Sequence, residues 1–428
     1  MQIRVVVLAA FAFTAFQPAA AQMRIPATYL ERLQQAEAAT ASLPAAAFAG
    51  ADASASGDPA AGAALDKQVL EHSRQLQQLG TARSFVGDTE GALAAFDVLR
   101  RRQPRHPPAA VLRQMAQLEN AAAEDAIAAI VREARTKRVV LINEAHHVPL
   151  HRAFAQRLAA GLRKIGYGYL ACETFNSPGV QAANEKRYIA RDNGYYTVEP
   201  VFAGFVNAAL ADGWKLVAYE FEGGHELPPA EQMRVREEMQ ARNLVERILA
   251  KDKDAKVLVF VGYAHHHKSP DPAPKMLLMG EHLRRMSGVP ALHVEQVEFI
   301  AHPEPADENP LYAPLLARYP SNAPFVLRDK DGSYPILLGL NGRIDMQVIH
   351  PRYPSQHGRP AWLSTLAGRS PQPVPAALLP ASGRRVLKAT PAAAPADAVP
   401  TDIILVEAGK PVPSFMLNKE EYRFSYEE

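Results

Sequence analysis

Between residues 128 and 300, short apolar runs alternate with longer amphipathic stretches. The runs fall at 138–143, 168–173, 215–221, 256–262 and 291–299, and are rich in Val, Leu and Ile. They are continuous rather than alternating in polarity, which predicts strands buried on both faces. The stretches between them, 150–165, 178–192, 200–212 and 229–251, repeat their apolar positions at helical spacing. Strand and helix in alternation predict an α/β fold with a mostly parallel central sheet flanked by helices. Gly161, Gly166, Gly168 and Gly213 mark the connections.

The flanks read differently. Residues 67–127 are helical in pattern, and Leu79, Gly80, Gly87, Ala92, Phe96, Leu99 and Pro104 stand at the spacings of a tetratricopeptide-like pair. Small residues there let helices cross closely, and the proline stops the second one. One such unit predicts either a hairpin docked on the main domain or a surface for a protein partner. Residues 22–66, rich in Ala, Ser, Gly and Asp, read as a linker, with a helix between Arg24 and Ala39. From about 301 the chain is a Pro-rich extension packing on the core, with strand-like runs at 335–340, 345–350 and 402–406. The Ala/Pro-rich 371–400 segment predicts a poorly ordered spacer. Ile403-Ile404-Leu405-Val406 is too apolar to stay in water, so 401–428 is expected to return to the fold.

Length and composition add limits. The chain has 428 residues, 48% hydrophobic and 21% charged, enough for a sizeable core. A net charge of +2 gives no electrostatic ground for nucleic-acid binding. Met1–Arg4 carries a positive charge, Val5–Phe16 is apolar, and Ala19-Ala20-Ala21 offers small residues before Gln22. That order predicts a signal peptide over 1–21, a periplasmic or secreted protein, and no membrane span after cleavage. Cys172 is the single cysteine, so no intramolecular disulfide forms. Its apolar surroundings predict a small buried packing residue.

The chemistry gathers where the strands end. The first run closes on Asn143-Glu144-Ala145-His146-His147, with His151 one helical turn on; the fourth closes on Gly262-Tyr263-Ala264-His265-His266-His267. Six of the fourteen histidines lie just past these two strands. The second run ends in Glu173 and the third in Glu220 and Glu222. In a parallel sheet these ends share one edge, the edge at which open α/β sheets bind ligands. Two chemistries suit the set. Glu144, His146, His265 and His267 are residue types that ligate a divalent metal. Alternatively, a histidine held by a carboxylate is a general base for water. Side chains alternate in extended chain, so His146 and His147 point opposite ways, as do neighbours among His265, His266 and His267. His225, after two glycines, reads as surface. In 229–251 the Arg and Glu residues at helical spacing read as a wet face, with an inward Arg236 as the alternative.

The same residues resemble a known group. Asn143 to Arg152 resembles the opening motif of ChaN-like haem-binding proteins, GExH with a further His five residues on; Glu144, His146 and His151 match, and Asn143 replaces the Gly. It also resembles the GEATHG motif of erythromycin esterases, where Glu144 and His147 match. Tiki and TraB proteins belong to the same broad group. The resemblance continues at Glu173, at Arg236-Glu237 through Asn243 (similar to RDxxMAxN, with Gln240 for Met) and at Gly262 to His265, and covers about 138–300. Arg359-Pro360-Ala361-Trp362-Leu363 is reminiscent of the esterase carboxyl-terminal region. An esterase relationship implies Glu144 and His147 activating water, Glu173 orienting the pair, and His265 or His267 assisting. A Tiki relationship implies metal ligation by such residues. A ChaN-like relationship implies haem binding, with His146, His151, Tyr263 and His265 as candidate ligands. The expectation is an exported hydrolase in which His146 or His147, Glu144 and Glu173 activate water on a small-molecule or peptide ester or amide, and Arg236 stabilises developing charge. The alternatives are a haem- or metal-binding protein without catalysis, and an interaction module built on 67–127.

Overall fold

A computed structural model describes residues 28–41, 59–100, 108–224, 226–269 and 276–428. The expected signal peptide, residues 22–27 and 42–58 of the expected linker, and His225 lie outside these. Eight strands form the main sheet: Ala122–Asp125 (β1), Val139–Glu144 (β2), Tyr169–Cys172 (β3), Lys215–Val217 (β4), Val257–Gly262 (β5), Ala291–Phe299 (β6), Phe325–Arg328 (β7) and Met346–Ile349 (β8). Their order is β1-β7-β8-β6-β2-β5-β3-β4. The six strands from β8 to β4 run parallel, while β7 pairs antiparallel with both β8 and β1. The expected α/β class is therefore what the chain adopts.

Burial on both faces explains the continuous apolar runs. Val140, Ile142, Leu258 and Phe260 point to one side, and Val139, Leu141, Val257 and Val259 to the other. Each such buried side chain contributes about 1.5–3 kcal/mol. Among the described residues, ten α-helices precede or interleave with these strands up to β6: Tyr29–Ala41 (α1), Pro59–Phe85 (α2), Thr89–Arg100 (α3), Pro108–Ala116 (α4), Ala126–Ala134 (α5), Pro149–Arg163 (α6), Ser177–Lys186 (α7), Pro200–Ala211 (α8), Pro229–Leu244 (α9) and Met279–Ser287 (α10). Helices α5, α6 and α8 cover the first face, and α9 and α10 the second. Cys172 is fully buried in the first layer, and burial pushes its thiol pKa well up. No helix among the described residues is long and apolar enough to cross a membrane.

Several expectations are corrected. The strand expected over 215–221 stops at Val217, because side chains, not a neighbouring strand, satisfy the backbone beyond it. Arg247 donates to the Ala218 carbonyl at 2.8 Å and Asn243 to that of Tyr219 at 3.0 Å. The run 335–340 is not a strand. Gln347 accepts from the Leu337 amide at 2.8 Å and Gln114 from that of Leu338 at 2.6 Å, and β8 already has two neighbours. Residues 122–125, inside the expected helical region, form β1. The 371–400 segment is no spacer. Arg384–Pro391 is the central strand of a three-stranded sheet between Asp402–Glu407 and Tyr422–Glu427, with Val386, Leu387 and Ala389 buried. Alanine and proline flanking that strand hid it.

Within the extension, Arg359 joins two segments. Its guanidinium grips Asp402 at 2.9 and 3.0 Å, and Asp402 also accepts from the Met416 amide at 2.7 Å. The α2–α3 hairpin packs inward. Leu79, Ala82, Phe85, Val86 and Ala95 share one buried cluster with Tyr29, Leu33, Val198, Val386 and Ile403. That cluster buries apolar surface an interaction module would present.

Glu295 on β6 supplies a stability prediction. It is 2% exposed, and burial together with Glu298 pushes its carboxyl pKa up from 4.5 to about 8. A carboxyl raised in the folded state keeps its proton on folding. Its contribution is thus complete below the unfolded value and is lost as pH rises towards 8. At about 1.4 kcal/mol per pKa unit, Glu295→Gln should stabilise the protein by a few kcal/mol at pH 8–9 and by nothing measurable at pH 4. Urea melts at both pH values check this; equal gains at the two would show that Glu295 titrates normally.

Candidate active site at the carboxyl edge of the sheet

Glu144 ends β2, and its carboxylate is fully engaged. One oxygen meets His146 Nδ1 at 2.9 Å, and the other accepts from Arg152 Nε at 2.7 Å. Arg152 lies on α6 and has no exposed surface. It also donates to the His146 carbonyl at 2.7 Å and to Glu199 at 3.1 Å. Glu199 caps α8, accepting from the amides of Val201 and Phe202 at 2.8 Å each. Burial alone would raise the Glu144 pKa, but Arg152 and His146 bring it below the usual carboxylate value. An ionised carboxylate only accepts, so His146 donates through Nδ1 and turns Nε2 away from Glu144.

The His146 ring is fixed on its other sides as well. It stacks on Tyr196 with centroids 4.2 Å apart and meets the edge of Tyr263 at 5.2 Å. Beneath it is Gly262, where a Cβ would come within 2.5 Å of His146 Nε2 and 3.0 Å of Glu173. Only glycine allows that approach. Tyr263, the next residue, has φ +46°, a left-handed conformation that costs a non-glycine residue about 1–3 kcal/mol. The strand ends hold it there: its amide donates to the Glu144 carbonyl at 2.8 Å, and its carbonyl accepts from Asn143 at 2.9 Å. Asn143, standing where the resembling motifs have glycine, also accepts from the Gln296 amide at 2.9 Å. Its side chain thus joins the ends of β2, β5 and β6.

Glu173 follows β3 and accepts from the Gly262 amide and from Arg236 Nη2, each at 2.5 Å. Burial opposes its ionisation, but Arg236, His265 and His146 hold it well below the usual carboxylate range. Arg236 and Glu237 point inward from α9, against the wet-face reading, while Glu238 and Arg242 form the exposed pair of that helix. Arg236 binds Glu220 as well as Glu173, leaving Nη1 buried without a partner. Glu237, with no exposed surface, pairs with His265 Nδ1 and accepts from the Met279 amide at 2.6 Å. Burial pushes the His265 pKa down, but Glu237 and Glu173 together outweigh it and raise the pKa above the ordinary value.

The structure thus brings together Glu144, His146, Glu173, Glu220, Arg236, Tyr263 and His265. Others stand apart. His147 lies against Phe96 of α3, rings nearly parallel and 3.4 Å apart. His151 is fully buried, and its Nδ1 accepts from the Ala145 amide at 3.1 Å. Burial drives its pKa well down. His266 and His267 pack on each other, ring centroids 4.6 Å apart. Burial lowers the His267 pKa to about 3. Glu222 is exposed and accepts from the Ser177 amide at 3.3 Å.

The expected metal set is not assembled among the described residues, and one expected haem ligand, His151, is enclosed. Among the described residues, no group of three or more His, Cys, Asp or Glu is placed to hold a metal ion. Glu144 is committed to Arg152 and His146, and His267 packs against His266. For haem, His151 has no surface through which iron would reach it. Residues that sequence reasoning passed over are Arg152, Glu199, Glu237 and Tyr196. Arg152 carried a signal, since it shares a helical stripe with Ala155, Ala159 and Leu162. Glu199 before Pro200 had the form of a helix cap. Tyr196 carried none.

No family model matches the chain, and no curated protein sequence matches it. Solved structures are similar to it at a low level. ChaN of Campylobacter jejuni, described with cofacial haem, is 14% identical over 52% of this chain and 90% of that one, with a TM-score of 0.33. The type III effector HopBA1 is 14% identical over 41% of this chain and 84% of that one, with a TM-score of 0.27. RRSP, a MARTX toxin effector domain from Vibrio vulnificus, is 18% identical over 60% of this chain and 54% of that one, with a TM-score of 0.26. Likeness this low carries no argument about chemistry, which rests on the side chains themselves.

Proposed function

We propose that the protein is an exported hydrolase that activates water on an ester or amide. The observation that carries this reading is the pair of carboxylate–imidazole couples, Glu144–His146 and Glu237–His265, with Glu173 in electrostatic reach of both imidazoles. The two imidazoles take opposite roles. His146, with Nδ1 committed to Glu144, takes the proton from water at Nε2. Glu144 holds its tautomer and stabilises the imidazolium that forms. His265, kept protonated by Glu237, gives its Nε2 proton to the leaving oxygen or nitrogen. Glu173 orients the water beside Gly262. Arg236 Nη1, the guanidinium nitrogen not bound to a carboxylate, offers its protons to the developing oxyanion. Export is supported by the amino-terminal charge and apolar pattern.

The test is hydrolysis of a panel of esters and amides by the purified protein, with two variants. Glu144→Gln should lower kcat by on the order of a hundredfold or more. Activity should also fall as pH rises through the raised pKa of His265, because the general acid is then lost. Glu237→Gln removes the charge that raises the His265 pKa, so burial prevails and this limb should move to lower pH. Hydrolysis indifferent to Glu144→Gln sinks the proposal; an unmoved limb removes His265 as the acid.

A further inference from the structure

We propose that Tyr196 is a positioning residue for His146, and that it reaches the site on a loop anchored by the amino-terminal helix α1. The proposal rests on the reading of His146 as the base. A hydrogen bond at Nδ1 fixes one corner of an imidazole but leaves the ring free to rock about its bond to Cβ. A second ring lying flat against it removes that freedom and keeps Nε2 aimed in one direction. Tyr196 is so placed, with centroids 4.2 Å apart and an interplanar angle of 14°.

The loop that carries Tyr196 is held from both ends. On the site side, the Tyr196 amide donates to Thr174 Oγ1 at 2.8 Å, and Thr174 directly follows Glu173. On the outer side, the Tyr29 hydroxyl of α1 donates to the Val198 carbonyl at 3.0 Å. Arg32, also on α1, lies over the rings of Phe85 and Tyr195 at 5.2 and 5.4 Å, and Tyr195 meets the edge of Tyr196 at 4.9 Å. The next residue but two, Glu199, holds Arg152. One short loop therefore sets both the plane of His146, through Tyr196, and the carboxylate behind it, through Glu199 and Arg152. Helix α1, which the sequence pattern placed in a linker, buttresses that loop.

The experiment is NMR of protein carrying labelled histidine and tyrosine, with variants at Tyr196 and Tyr29. In the wild-type protein a nuclear Overhauser contact joins the Tyr196 ring to His146 Hε1, and the stacked ring holds that proton upfield. Tyr196→Phe should keep the shift, and Tyr196→Leu should move it downfield towards an unstacked imidazole. Tyr29→Phe should move it the same way by less. In turnover, Tyr196→Leu should lower kcat about tenfold or more with KM changed less than about twofold, and Tyr196→Phe should restore kcat. An absent contact in the wild-type protein, or an unmoved resonance in a folded Tyr196→Leu variant, overturns the proposal. If the wild-type protein hydrolyses nothing, the hydrolase reading fails while the resonance still decides the placement of Tyr196.

Discussion

Arg152→Met should destabilise the protein by about 3–5 kcal/mol, the largest stability loss expected from a single substitution near the site. Arg152 has no exposed surface, and it bridges Glu144 and Glu199, each 2% exposed. Its guanidinium also lies 4.8 Å from the centre of the Phe202 ring. Methionine fills a similar volume, so little of the loss comes from an empty space. The loss comes from two carboxylates left in a low-dielectric interior with no countercharge. A second comparison isolates that cause. Adding Glu144→Gln and Glu199→Gln to Arg152→Met should recover much of the stability, because a neutral buried set avoids the cost of unpaired charge. Denaturant melts of the two variants check both statements. A loss under about 1 kcal/mol for Arg152→Met would mean that Glu144 does not depend on this partner.

The same arginine shows what a single sequence reveals. The layered α/β fold was legible because both faces of its sheet are covered, which leaves continuous apolar strands. The convergence of Glu144, Glu173, Glu220 and His265 was legible because parallel strands put their carboxyl ends on one edge. What escaped detection depends on distance rather than pattern. Glu237 sits in a helix dense with charge, where periodicity does not separate inward residues from the exposed Arg242, so an inward Arg236 was read only as the alternative to a wet face. The strand at 384–391 was concealed by alanine and proline on either side of it. The loop residue Tyr196 had no periodicity to read, and its contact with His146 spans fifty positions. Tyr263 belongs to the same class. Its positive φ is held by two hydrogen bonds to the end of β2, and no local residue preference announces it.

His146→Ala should reduce kcat by on the order of a thousandfold, and His147→Ala by less than about tenfold. The chain carries histidines at both spacings found in the resembling families, so sequence left two candidates for one role. Geometry separates them. His146 is hydrogen-bonded to Glu144 at 2.9 Å and lies over Gly262 beside Glu173. His147, next in the chain and turned the other way, stacks on Phe96 at 3.4 Å. Phe96 is itself pinned, since a Cβ on Gly80 of α2 would come within 2.5 Å of its ring. His147 thus joins the α2–α3 hairpin to the core, and losing it should cost about 1 kcal/mol of stability through the missing aromatic pair. The two substitutions should therefore separate cleanly, one in turnover with little change in melting, the other in melting with little change in turnover. Steady-state kinetics and thermal melts on the same preparations would show it. The reverse pattern would return the role of base to the esterase spacing and require the 144–148 turn to rearrange when substrate binds.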